Sequence, residues 1–178
     1  MVENMVFQRK NTFLVFLLGL CVLFASQARA QEVSAWKKDC VKSADSQSCR
    51  ISQQLFLSQK SKSGQQETVG RVLGLTVLYV EDQKSKKRTP YMSVSMPLGV
   101  DLRPGAVLKI DKGQDISIEY LRCTQSGCDA SIELTKGLLN SLKAGSDLFV
   151  GFRPWGSEKV AVLKATLSGF SKAFNSIK

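Results

Sequence analysis

Residues 90–128 alternate polar with apolar side chains and are broken repeatedly by glycine and proline. Tyr91, Ser93 and Ser95 interleave with Met92, Val94 and Met96, a period of two that sends the two sets to opposite faces of a strand. Pro97, Gly99, Pro104 and Gly105 then punctuate a corner over residues 97–105. Two further strands are expected after it, and the stretch closes on Cys123 and Cys128. Alternation cut by glycine and proline is the pattern of short strands in a sandwich or barrel. It describes a framework and carries no chemistry.

The N-terminus sets the expected compartment. Arg9 and Lys10 precede an apolar run over residues 13–25, and Ala28-Arg29-Ala30 supplies a small-x-small exit. A basic head, a short apolar body and that exit mark a secretory signal peptide over residues 1–30. The run is shorter than the roughly 18–20 apolar residues a spanning helix needs. Cleavage leaves residues 31–178, 148 of the 178, as one domain able to bury about two-thirds of its unfolded surface. Because Arg9, Lys10 and Arg29 outweigh Glu3 by two, it also lowers the formal net charge from +10 to +8. Such a surface attracts anionic lipid, acidic polysaccharide or nucleic acid, and export disfavours the last.

Cys21 leaves with the signal, and Cys40, Cys49, Cys123 and Cys128 remain. An even count in an exported chain argues for two disulfides, with three connectivities open. The local pairing, Cys40 with Cys49 and Cys123 with Cys128, is favoured, although energetics alone does not exclude a crossed one. A four-thiolate zinc site is disfavoured, since C-x8-C followed distantly by C-x4-C is poor finger spacing.

Along the chain, residues 31–35 form a polar lead-in, residues 36–41 a first strand and residues 42–48 a turn. Residues 49–58 restart an extended segment, with Ile51, Gln53, Leu55 and Leu57 on one side. Residues 59–68 read as a loop by composition. Residues 69–80, the most apolar stretch after the signal, read as a central strand buried on both faces. Residues 81–89 are a polar hairpin connection holding Lys84, Lys86, Lys87 and Arg88, and residues 129–134 add another strand. Residues 136–144 form a short helix with Leu138, Leu139 and Leu142 on one side and Gly145 as its stop. Leu148, Val150 and Phe152 alternate on a strand, Arg153-Pro154-Trp155-Gly156 turns it, and residues 160–167 return. Ser168 is the expected N-cap of a terminal helical piece carrying Phe170, Phe174 and Ile177.

Chemistry is scarce. The chain has no histidine, which removes Ser-His-Asp and Cys-His nucleophiles and most zinc hydrolase sites. Ser34-Ala35-Trp36-Lys37 matches S-x-x-K, but no S-D-N or K-T-G follows. Phosphate-cradling glycine motifs are absent, and no cofactor or metal set emerges. Asp111, Asp115, Glu119, Asp129 and Glu133 could in principle supply a glycosidase pair, yet acids on alternating strands usually form the solvated face. Trp36 and Trp155 read as core or rim packing rather than a ligand box. The cations at Lys84, Lys86, Lys87 and Arg88 are the candidate contact for an acidic surface, against the plainer reading of a solvated loop. No aromatics are interleaved for base stacking, so no nucleic-acid partner is expected.

One series of residues resembles a family. It runs from Trp36, Cys40, Cys49 and Gln53-Gln54 through Val69-Gly70-Arg71-Val72-Leu73 to Met96-Pro97-Leu98-Gly99-Val100. It continues with Leu102-Arg103-Pro104-Gly105, Leu108-Lys109-Ile110-Asp111, Cys123, Gly127-Cys128, Leu142-Lys143-Ala144-Gly145 and Leu167-Ser168-Gly169-Phe170. The series is similar to the invasion-associated locus B family of exported alphaproteobacterial proteins. That resemblance implies an all-β fold, an immunoglobulin-like sandwich with a short helical insert and a short C-terminal helix, lodged in the envelope. It also implies an association with invasion of host cells, erythrocytes in particular, and it brings no catalytic residues. This chain departs from a typical member in its basic loop and higher positive charge.

The expected function is therefore a non-enzymatic envelope or surface protein that promotes invasion by binding a host-cell component or acidic glycan. Its peripheral association with the envelope is part of that expectation. The alternative is a periplasmic structural or chaperone-like module acting on invasion indirectly. An enzyme acting on envelope polymers through carboxylates is a third reading.

Overall fold

The computed structural model describes residues 35–42 and 47–178. The signal segment, most of the polar lead-in and the centre of the first turn lie outside the described residues.

Two antiparallel sheets form. The first runs β1 (Lys37–Lys42), β2 (Gln47–Lys60), β3 (Gln66–Glu81), β4 (Arg88–Met96), β8 (Gly127–Glu133), β7 (Tyr120–Thr124). The second runs β10 (Ala161–Thr166), β9 (Asp147–Phe152), β5 (Ala106–Ile110), β6 (Ile116–Ile118). Their inner faces share one core, to which Ile51, Leu75, Val94 and Ala130 come from the first layer and Leu108, Ile118, Leu148 and Val150 from the second. This is the all-β, immunoglobulin-like sandwich expected, because the period-two patterning gives each layer one apolar face to bury.

Three strand expectations need correction. Residues 69–80 lie in a central strand but are buried on one face only: Leu73, Leu75 and Val77 point inward, while Val69 and Val80 are exposed. The apolar residues on the outer face are covered in part by neighbours and not by a third layer. Residues 59–68 are not one loop, since β2 and β3 continue as a paired arm that turns only at residues 61–65. Backbone pairing holds the arm even where its side chains are polar, which composition does not register. Leu57 is exposed on this arm, past irregularities in pairing at Leu55/Phe56 and Leu57/Ser58 that break the alternation.

The segment after the corner contains three strands, not two. β6 and β7 are one extended run that changes sheets at Glu119: Ile118 pairs with Ala106 in one layer, and Tyr120 with Ala130 in the other.

The helix α1 (Lys136–Ala144) joins β8 to β9 within the bounds read from the sequence, capped by Thr135, whose hydroxyl accepts from the Leu138 amide. Its C-cap is Gly145, for a reason other than handedness. Its φ is −75°, but a Cβ there would lie 2.6 Å from Ile110 Cγ2 and 3.0 Å from Leu167 Cδ1.

The helix α2 (Phe170–Asn175) begins after Gly169, a left-handed residue with no side-chain cap bond, so Ser168 is not the N-cap. The Ser168 amide instead donates to the Thr166 hydroxyl. Phe170 and Phe174 are fully buried, and Trp36 meets Phe170 edge-on at 5.1 Å. The indole Nε1 of Trp36 donates to the Thr166 carbonyl at 3.0 Å, tying the start of the described chain to the end of β10.

Candidate functional site

The four cations picked out by sequence lie on the β3–β4 turn or beside it, all exposed. Asp82 organises that turn. One of its carboxylate oxygens accepts from the Ser85 amide at 2.7 Å, the Ser85 hydroxyl at 2.8 Å and the Lys84 amide at 3.1 Å. The Ser85 hydrogen bonds hold this carboxyl below its ordinary value. Lys86 takes the left-handed backbone, φ 57°, that closes the turn, and its ammonium lies 3.6 Å from Glu81. The guanidinium of Arg88 sits over the Tyr79 ring at 4.9 Å. Lys84 and Lys87 face an open concavity of 560 Å³, whose lining also includes Glu81, Asp82 and Tyr91. The turn is thus a compact, ordered group of cations with two carboxylates set among them.

Sequence reasoning missed a second arrangement at the opposite end of β4. Asp101 in the corner is 2% exposed, although it carries a charge. A buried carboxylate is costly unless it is paired and hydrogen-bonded. Here Arg103 grips it at both oxygens, Nε to Oδ1 at 2.9 Å and Nη2 to Oδ2 at 2.7 Å. Arg153 reaches Oδ2 from the other loop, through Nε at 3.0 Å and Nη2 at 2.6 Å. The Arg103 hydrogen bonds, against the opposing effect of burial and with help from Arg153, hold the Asp101 carboxyl well below the usual range. Asp101 in turn raises the Arg103 pKa.

Backbone bonds complete the brace. The Asp101 amide donates to the Arg153 carbonyl at 2.8 Å, the Trp155 amide donates to the Gly99 carbonyl at 2.7 Å, and Val100 bridges Pro154. The outer side of Arg103 lies over the Trp155 indole at 5.5 Å. That indole is 70% exposed, which separates it from the buried Trp36. The Asp-x-Arg spacing was the only local signal, since Arg153 arrives from 52 residues away.

The remaining candidates occupy structural positions. Cys40 and Cys49 face each other across β1 and β2, and Cys123 and Cys128 across β7 and β8, with sulfurs 2.13 and 2.06 Å apart. Asp111 accepts from the Ser146 and Asp147 amides. Asp115 pairs with Lys109 at 2.7 Å, while Asp129 accepts from the Ser95 hydroxyl and lies 3.5 Å from Arg122. Glu119 marks the change of sheets, and Glu133 ends β8, both exposed. Of the S-x-x-K match, Ser34 lies outside the described residues and Lys37 is exposed on β1. A cavity of 340 Å³ beside α1, lined by Ile110, Gly113, Gln114, Ile116, Leu138 and Ser141, offers no ionisable group.

The sequence profile of the invasion associated locus B (IalB) protein family matches residues 36–178. The chain belongs to that family. It is 30% identical over 83 residues to an invasion protein B homologue of Brucella abortus strain 2308 and to its counterpart in biovar 1 of that species. Those alignments cover 47% of this chain and 48% of each relative, so the chain spans about half the length of the curated relatives it matches. The crystal structure of invasion associated protein b from Bartonella henselae is similar in fold, with a TM-score of 0.59 and 20% identity. The match covers 80% of this chain and 90% of that one. The family and these relatives are named for invasion, and neither the IalB family nor this fold is known as enzymatic. Among the described residues, no helix is long and apolar enough to cross a membrane.

Proposed function

We propose that this IalB protein is exported, is not an enzyme, and promotes entry into host cells by binding at the bacterial envelope or surface. The family match over residues 36–178 carries the reading. Two cross-strand disulfides support export, because such bonds persist in oxidising compartments. The binding element is the β3–β4 turn, where Lys84 and Lys87 stand free of any ion pair among the described residues. The ordered turn offers an acidic host glycan a cationic contact at little entropic cost. Salt should weaken attachment to erythrocytes or immobilised heparin, and replacing Lys84, Lys86, Lys87 and Arg88 with glutamine should remove most of it. Attachment unchanged by both treatments eliminates the turn as the contact.

A second reading, a periplasmic module that supports the envelope, draws on the same turn. Glu81 engages Lys86 and Tyr79 engages Arg88, so part of the charge is already satisfied within the protein. Protease treatment of intact cells separates the two: a surface protein is cleaved, and a periplasmic one survives.

A further inference from the structure

The strand register collects exposed apolar side chains at one end of the sandwich. β4 leaves its sheet at Met96 to enter the corner, and Ser95 is opposite Gly74. The β2–β3 arm beyond Leu73 therefore overhangs the end where the corner lies. The arm presents Phe56, Leu57 and Val69, and the corner with its braced partner loop presents Leu98, Leu102 and Trp155; each is between 49% and 70% exposed. Val41 and Val80 are exposed at the other end of the sheet and Leu121 and Val162 on β7 and β10, but these stand apart from one another, whereas six gathered at one end call for an explanation. Exposed cations accompany them: Lys60, Lys62 and Arg71 on the arm, and Arg103 beside the indole. Against these stand the exposed Glu67, Glu119 and Glu158, while Asp101 cancels one of the two arginines that hold it and leaves that trio with one net positive charge.

We propose that this end docks on a membrane surface carrying anionic lipid. Trp155, Leu98 and Leu102 enter the boundary between headgroups and acyl chains, and Arg103 with the arm cations remains at headgroup depth. An indole flanked by cations and aliphatic side chains matches that boundary, where tryptophan concentrates and basic residues meet anionic headgroups. The formal net charge of +8 on residues 31–178 is complementary to such a surface. The brace between Asp101, Arg103 and Arg153 fixes both loops before contact, so little ordering remains to oppose docking. The concavity between these loops, lined by Pro104, Phe152 and Val160 among others, is only 120 Å³, too small for an ordinary small-molecule ligand. This surface lies at the other end of β4 from the cationic turn and stands or falls independently of the glycan reading.

The two tryptophans make the test direct. Trp36 is 4% exposed and Trp155 70%, so a blue shift in emission reports burial of Trp155. The protein, purified as the producing cell makes it, is mixed with vesicles of phosphatidylethanolamine and phosphatidylglycerol, or of phosphatidylcholine alone. The expected result is a blue shift and co-sedimentation with the anionic vesicles, both reduced by high salt. Trp155→Phe should abolish the shift and retain sedimentation. Leu98→Ser with Leu102→Ser should weaken partitioning about tenfold or more, with circular dichroism unchanged. Neutralising Lys84 and Lys87 should leave vesicle binding intact. Sedimentation without a Trp155 shift would assign binding to the N-terminal apolar segment and overturn the proposal. So would a blue shift that grows with protein concentration in the absence of vesicles, which would identify a second copy as the occupant. Unaltered binding by the folded double serine variant overturns it as well.

Discussion

Arg153 holds the buried carboxylate of Asp101 at 2.6 Å, so the loop after β9 is fastened to the corner after β4. Removing the charge leaves two guanidiniums facing a weaker acceptor, and Asp101→Asn should lower the urea midpoint of unfolding. The effect depends on pH with a definite sign. The Asp101 carboxyl titrates well below its ordinary 3.8 when folded, so the unfolded chain takes up that proton first as pH falls. The stabilisation is complete above 3.8 and disappears as pH drops from there toward the folded value. The wild type and Asp101→Asn should therefore converge in urea midpoint on acidification below 3.8.

The disulfides should act separately. Each closes a short ring, nine and five residues in separation, for which the chain-entropy account gives about 2–3 kcal/mol. Cys40–Cys49 lies near the cationic turn end of β2, and Cys128 opposes Met96 at the corner end of β4. Paired serine replacements at the two sites should sum to within about 0.5 kcal/mol in denaturant unfolding.

Gly145→Ala should cost about 1–3 kcal/mol by overpacking, since Ile110 and Leu167 occupy the space a methyl group needs. The backbone there is ordinary, so a left-handed preference plays no part. A calorimetric comparison with Gly137→Ala, where nothing lies within 4 Å, isolates the steric contribution, and that control should be neutral or better.

Phe174→Ala should cost about 3–5 kcal/mol, because the ring is fully buried between Phe170 and Tyr79. Phe170→Ala should in addition shift Trp36 emission to the red, as the indole loses its edge-on neighbour and gains water.

Where burial alternates with chain position, sequence was enough. Met92, Val94 and Met96 face the core as their period implies, and Leu142 anchors a helix whose ends Thr135 and Gly145 mark. Elsewhere the missing information was tertiary. Val69 and Val80 looked like core by composition, but Val69 lies on the β2–β3 arm beyond the sandwich and Val80, paired with Thr89, is out of phase with the inward Leu73, Leu75 and Val77. Residues 59–68 looked like a loop because backbone pairing leaves little trace in side-chain polarity. The buried Asp101 was illegible because a carboxylate is read as solvent-facing until its second arginine arrives from a distant loop. The cations at residues 84–88 were found by counting, but their engagement with Glu81 and Tyr79 depends on the turn that Asp82 builds.

The change of sheets at Glu119 has a mechanical consequence. One continuous run of backbone is stitched into both layers, with Ile118 on one side of the crossing and Tyr120 on the other. The layers cannot shear apart without tearing one of those two short ladders. Amides of β6 and β7 should then exchange with solvent in a single cooperative opening, although they belong to different sheets.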